Sequence, residues 1–127
     1  MSSVGERSWA AKFRDAFRGM KHGVRGQSSF FVHFFVAAMV LAAGAVLRID
    51  DLAEWCILLL CIAVVLTAEM FNSALESLAE AVTDQHDPHV GRALDISSAA
   101  VLIASIGSSI VGTVVFAKWL GPLAGWW

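Results

Sequence analysis

Residues 55–82 read WCILLLCIAVVLTAEMFNSALESLAEAV, and the predicted fold is built around this stretch. Residues 55–68 include no charged side chain, and the helical pattern then continues through Glu69 into a more polar segment. A helix needs about 20 residues, each rising 1.5 Å, to cross the hydrocarbon core of a membrane. We therefore predict a membrane-spanning helix over residues 52–82, with a polar carboxyl end that reaches the headgroups and water.

Two further apolar stretches flank this helix. Residues 29–47 contain one titratable side chain, His33, and residues 96–117 contain no charged one. The whole chain is 57% hydrophobic, whereas a soluble domain is about 45–50% apolar. We predict an all-α membrane protein that forms one domain over residues 1–127, with spans at 29–47, 52–82 and 96–118. The polar connection 84–95 contains Pro88 and Gly91, which we interpret as helix breakers.

Residues 6–25 are predicted to form an amphipathic helix. Trp9, Phe13, Phe17 and Met20 recur at spacings of three and four, with basic residues between them. Such a helix suits the plane of an anionic membrane surface. Packing of the same helix against its own transmembrane bundle is an alternative, and the two are compatible.

The distribution of positive charge predicts the orientation. Of the nine lysines and arginines, six precede residue 26: Arg7, Lys12, Arg14, Arg18, Lys21 and Arg25. Because cytoplasmic segments are enriched in Lys and Arg, the N-terminus is predicted to lie in the cytoplasm. With three spans, the 84–95 connection then lies on the same side of a cell (inner) membrane. The net charge of −2 gives no reason to expect a nucleic-acid partner.

The carboxyl half of the second span presents an acidic face. Glu69, Asn72, Glu76 and Glu80 fall within an arc of about 80° on a helix, and Ser73 lies at its edge. Acidic side chains near a membrane are costly and usually serve a function. They suit a Mg²⁺ ion that also binds a substrate phosphate, or a proton or cation pathway. A solvated helix end is the structural alternative, and it is the favoured one for Glu80.

Several segments resemble one family. Residues 68–76, AEMFNSALE, resemble the E-x-x-N-[ST]-[AS]-hydrophobic-E signature of the small prokaryotic diacylglycerol kinases and undecaprenol kinases. Residues 91–102, GRALDISSAAVL, resemble the start of that family's third span, and the N-terminal pattern is similar at Phe13, Ala16, Gly19, Phe30 and His33. The resemblance extends over about residues 9–117.

The resemblance implies a homotrimer that transfers phosphate from ATP, with Mg²⁺, to a lipid alcohol, either diacylglycerol or undecaprenol. It implies that Glu69 is the general base and that Glu76 is a Mg²⁺ ligand that holds the ATP phosphates. Asn72, Ser73 and Ser98 would support the lipid site. The nucleotide would be contacted by residues that include His86, Asp87 and Asp95.

Three positions depart from the family pattern. Gln27 stands where the family usually has a metal-binding Glu, and its one neutral oxygen would make it a weak metal ligand. Phe31 stands where the family usually has Arg. Leu94 replaces a Lys expected near the ATP phosphates, and Arg18, Lys21 and Arg92 are candidates for the missing positive charge. These departures support an alternative hypothesis, in which the chain is a catalytically impaired relative that binds lipid or packs with a partner.

Overall fold

The computed structural model describes residues 7–25, 28–82 and 84–127, and every regular element in these ranges is a helix. The chain forms α1 (Trp9–Arg25), α2 (Ser28–Val46), α3 (Leu52–Val82) and α4 (Pro88–Ala124). The predicted all-helical fold is therefore confirmed for the described residues. Gln27, a predicted weak metal ligand, lies outside them.

Helices α3 and α4 have the length and composition to cross a membrane. Their most apolar windows have a mean hydropathy of 2.1, and only 17% and 6% of the residues in these windows are buried. A core helix of a soluble protein would be mostly buried, so this exposure favours contact with lipid. The apolar part of α2, Phe30–Val46, is shorter. It reaches about 26 Å, slightly less than the hydrocarbon core of about 30 Å. The structure thus supports two of the three predicted spans.

Helix α1 is the predicted amphipathic helix. Its aromatic side chains Trp9, Phe13 and Phe17 are 62–73% exposed, and the ammonium group of Lys12 lies 4.6 Å from the Trp9 ring centre. The helix packs against α3 at Gly23, where an added Cβ would lie 2.6 Å from the Met70 sulfur. The position of α1 is therefore compatible with both predicted environments, the membrane surface and packing against the protein's own helices.

The start of α4 corrects the predicted 84–95 connection. The helix begins at Pro88, so the connection ends at Asp87, and the helix runs to Ala124 rather than to residue 118. Asp87 caps the helix, because its carboxylate accepts hydrogen bonds from the backbone amides of His89 and Val90. Proline is favoured in the first helical turn, where no backbone donor is needed. Pro88 thus starts a helix here and does not break one.

The end of the molecule near residue 50 is built around α3 and α4. Ile49, Leu58 and Val115 form its buried core. The Glu54 carboxylate accepts hydrogen bonds from Lys118 Nζ and from Trp119 Nε1, each at 2.6 Å. These contacts tie the beginning of α3 to the end of α4, so the opposite ends of both helices meet at the acidic face.

The Trp55 side chain packs against the α2–α3 turn. The Trp55 indole donates a hydrogen bond to the Ile49 carbonyl oxygen at 2.8 Å, and its ring covers Gly44, where a Cβ would lie 2.8 Å from Trp55 Cη2. Gly44→Ala is therefore expected to lower the free energy of unfolding by about 1–3 kcal/mol, because the rigid ring must move. Thermal unfolding in detergent measures this change.

Gly107→Ala is the matched control, because no atom lies within 4 Å of its added Cβ. Alanine favours helix over glycine by about 1 kcal/mol, so this variant should be at least as stable as the parent chain. Equal stability of the two variants would show that the Trp55 contact does not hold the turn.

Candidate active site

The most deeply buried acid of α3 is Glu69, which is 4% exposed. Its Oε1 lies 3.0 Å from Nε2 of His33 on α2. One turn before His33, Phe30 is 1% exposed. A histidine of the neighbouring helix thus reaches the buried Glu69 carboxylate.

A second hydrogen-bonded group lies further along the same face of α3. Asn72 Nδ2 donates to Glu76 Oε1 at 3.0 Å. On the other side of the amide, Ser97 Oγ lies 2.7 Å from Asn72 Oδ1 and 2.9 Å from the Leu94 carbonyl oxygen. A serine hydroxyl has one proton to donate. When that proton is donated to Asn72 Oδ1, Ser97 on α4 orients the Asn72 amide so that its NH₂ group faces the Glu76 carboxylate.

A cleft of about 560 Å³, lined by both polar and apolar residues, lies between α1 and α3. We call it the α1–α3 cleft, and its lining comprises Ala16, Gly19, Met20, His22, Gly23, Met70, Ser73, Ala74, Glu76, Ser77 and Glu80. Within the described part of the chain, the buried Ser73 hydroxyl has no hydrogen-bond partner. Leaving such a group unsatisfied costs about 1–3 kcal/mol, so a polar ligand in this cleft would gain a partner there.

A larger apolar groove runs between α2, α3 and α4. Its volume is about 670 Å³, and its lining includes Val36, Val40, Leu58, Leu66 and Phe116. His33, which contacts Glu69, also lines this groove. The His33 side chain therefore borders both the apolar groove and the buried Glu69 carboxylate.

The donor set suits a metal ion that is bound together with phosphate. Among the described residues, no group of three or more His, Cys, Asp and Glu side chains could hold a metal ion. Mg²⁺ commonly takes one or two carboxylates and keeps phosphate or water as its other ligands. Glu76 and Glu80, one turn apart in the lining of the α1–α3 cleft, fit this pattern.

Four of the predicted site residues lie close together in the structure. Glu69, Asn72, Ser73 and Glu76 lie together along α3. The remaining predicted residues that the structure describes are exposed: Arg18, His86, Asp87, Asp95 and Ser98. The Arg18 guanidinium lies 3.7 Å from the Asp15 carboxylate of its own helix.

Two polar residues of the site were absent from the predicted set. Ser97, and not its neighbour Ser98, contacts Asn72. His33 contacts Glu69, and its place as the one titratable side chain of residues 29–47 was an available signal. No local pattern assigns either contact, because each joins two different helices.

Long apolar helices, together with an acidic face of which Glu69 is buried, indicate a membrane protein with a polar site at one end of its helices. The sequence profile of the prokaryotic diacylglycerol kinase family matches residues 14–116. The chain belongs to this family, and the predicted resemblance is confirmed.

Individual relatives agree with this assignment. The chain is 31% identical over 104 residues to the undecaprenol kinase of Bacillus subtilis (strain 168), covering 82% of this chain and 84% of that protein. It is 32% identical over 101 residues to the diacylglycerol kinase of Synechocystis sp. (strain ATCC 27184 / PCC 6803 / Kazusa). That match covers 79% of this chain and 57% of the Synechocystis protein. The two relatives bear the names of kinases for different lipids.

Proposed function

We propose that this protein is a kinase that transfers the γ-phosphoryl group of ATP to the hydroxyl of a membrane lipid, either diacylglycerol or undecaprenol. One observation supports this function best: the buried Glu69 carboxylate is hydrogen-bonded to a histidine that also lines the apolar groove. A lipid whose hydrocarbon chain occupies the groove would bring its hydroxyl toward Glu69. The acceptor could then react without leaving the membrane.

Glu69 acts as the general base in this proposal. Its carboxylate takes the hydroxyl proton while the lipid oxygen bonds to the γ-phosphorus and ADP leaves. A base must lie within hydrogen-bond reach of the proton that it removes. Its burial beside the groove keeps Glu69 away from bulk water and close to an acceptor in the membrane.

The α1–α3 cleft is the proposed site of the ATP phosphates. Glu76, with Glu80 nearby, would hold Mg²⁺ there, and the ion would neutralise the charge that develops on the transferred phosphoryl group. Asn72 holds the Glu76 carboxylate through its NH₂ group. The Ser73 hydroxyl, buried in the same lining, is available to donate to a phosphate oxygen.

The membrane arrangement is part of the same proposal. We infer that α2 also spans the membrane, as the first of three spans, that α1 lies at the cytoplasmic surface of the cell membrane, and that three copies assemble. The basic N-terminal segment supports this orientation. It would also place the α1–α3 cleft on the side where ATP is found.

The departures from the family pattern support one alternative. Leu94 provides no positive charge, and its carbonyl oxygen lies within hydrogen-bond distance of Ser97. With Gln27 in place of a carboxylate, the chain would be an impaired relative that binds lipid without phosphorylating it. The contacts His33–Glu69 and Asn72–Glu76 favour the active enzyme, because a protein with no turnover has no need of a buried, oriented carboxylate.

A direct assay tests the proposed function. The purified full-length chain, in detergent or in bilayers, is given ATP, Mg²⁺ and either diacylglycerol or undecaprenol. We expect radiolabel from the γ-phosphate to appear in at least one lipid, and none without Mg²⁺. A parallel preparation of Glu69→Gln controls for a contaminating kinase. Binding of both lipids with no labelled product would instead support the impaired relative.

A further inference from the structure

The residue that faces Glu69 lies in another helix and has no assigned role. His33 is the one titratable side chain of α2, and its Nε2 lies 3.0 Å from Glu69 Oε1. The Glu69 side chain is 6% exposed and that of His33 is 21% exposed. The contact is thus largely withdrawn from solvent, at the point where the apolar groove ends.

We propose that His33 is a positioning residue, which donates its Nε2–H to Glu69 Oε1 and so sets the direction in which the carboxylate meets the lipid hydroxyl. This inference rests on the proposed function, because it assigns His33 a task only if Glu69 is the base. A glutamate side chain rotates about three bonds before its carboxylate. A donor on a neighbouring helix removes much of that freedom.

The position of His33 indicates more than packing. The helix around His33 is otherwise apolar, so packing against α3 alone does not require a histidine there. Polar groups are retained in such segments where they bind or act. Since His33 also lines the apolar groove, it contacts both the base and the space proposed for the lipid chain.

Three substitutions separate positioning from packing. The amide nitrogen of glutamine can occupy the place of histidine Nε2, whereas that of asparagine reaches only the place of Nδ1. We expect His33→Leu and His33→Asn to lower kcat by about 10- to 100-fold. A displacement of the reacting groups by about 1 Å can lower the rate by as much. His33→Gln should restore most of the activity. The KM for ATP should stay within about threefold in all three variants, because His33 is not among the lining residues of the α1–α3 cleft.

A double-variant comparison tests the coupling to Glu69. Glu69→Asp shortens the base by one methylene and moves it away from His33. In that background, His33→Leu should change kcat by less than about threefold, because the contact is already lost. Thermal unfolding midpoints and oligomeric state, measured for every variant, report on folding separately.

The outcomes distinguish this inference from the proposed function. If Glu69→Gln abolishes turnover while His33→Leu retains full activity, the positioning role is wrong and the kinase assignment stands. Equal losses in His33→Gln and His33→Leu would also overturn it, because the restored donor would then have no effect. If Glu69→Gln itself remains active, Glu69 is not the general base, and the positioning role of His33 is then wrong as well.

Discussion

Glu69→Gln is expected to lower kcat for lipid phosphorylation by about 10²–10⁴-fold, the usual contribution of a general base. Glutamine has the same shape as glutamate, and its carbonyl oxygen can accept the hydrogen bond from His33, 3.0 Å away. The fold should therefore persist, whereas the neutral amide has no capacity to take the hydroxyl proton. Initial rates at saturating ATP and lipid measure the change.

The control for this variant changes a carboxylate at the other end of the molecule. Asp50, exposed beside the α2–α3 turn, lies beyond the end of α2 opposite His33. Asp50→Asn should keep the parent rate. Parent-like turnover by Glu69→Gln, with contaminating kinases removed, would show that another group accepts the proton.

Glu76→Gln is expected to raise both the Mg²⁺ concentration for half-maximal activity and the KM for ATP. The change should be about 10- to 100-fold, the range found when groups that support a bound metal are altered. Glutamine presents one neutral oxygen where a carboxylate presents two charged ones. It can still pair with Asn72, whose NH₂ group lies 3.0 Å from the present Glu76 oxygen, so the helix should fold as before. Titrations of Mg²⁺ at fixed ATP, and of ATP at saturating Mg²⁺, separate the two effects.

Glu80→Gln provides the comparison on the same helix. Both residues line the α1–α3 cleft, but Glu80 is exposed and Glu76 is partly buried. If the metal binds chiefly to Glu76, Glu80→Gln should shift the Mg²⁺ requirement by much less. An equal shift in both variants would indicate a general effect of negative charge in the cleft, and would contradict a specific ligand role for Glu76.

The helices and their faces could largely be predicted from sequence, because both depend on local patterns. The apolar run before Glu69 predicts a long helix, and spacings of three and four place Asn72 and Glu76 on the same side of it. The start of α4 was also encoded locally, in Asp87 followed by Pro88. It was predicted wrongly because proline was interpreted as a breaker, although it is equally suited to a first helical turn.

The amino-acid pattern alone predicts an all-helical chain rich in apolar residues, an amphipathic first helix, and one acidic face with its family signature. Which groups meet that face depends on tertiary packing. His33 lies 36 residues from Glu69, and Ser97 lies 25 residues from Asn72. Helical periodicity specifies directions within one helix, whereas these contacts depend on how α2 and α4 pack against α3. The positions of the carboxylates were thus readable from the chain, and their hydrogen-bonding partners were set by packing.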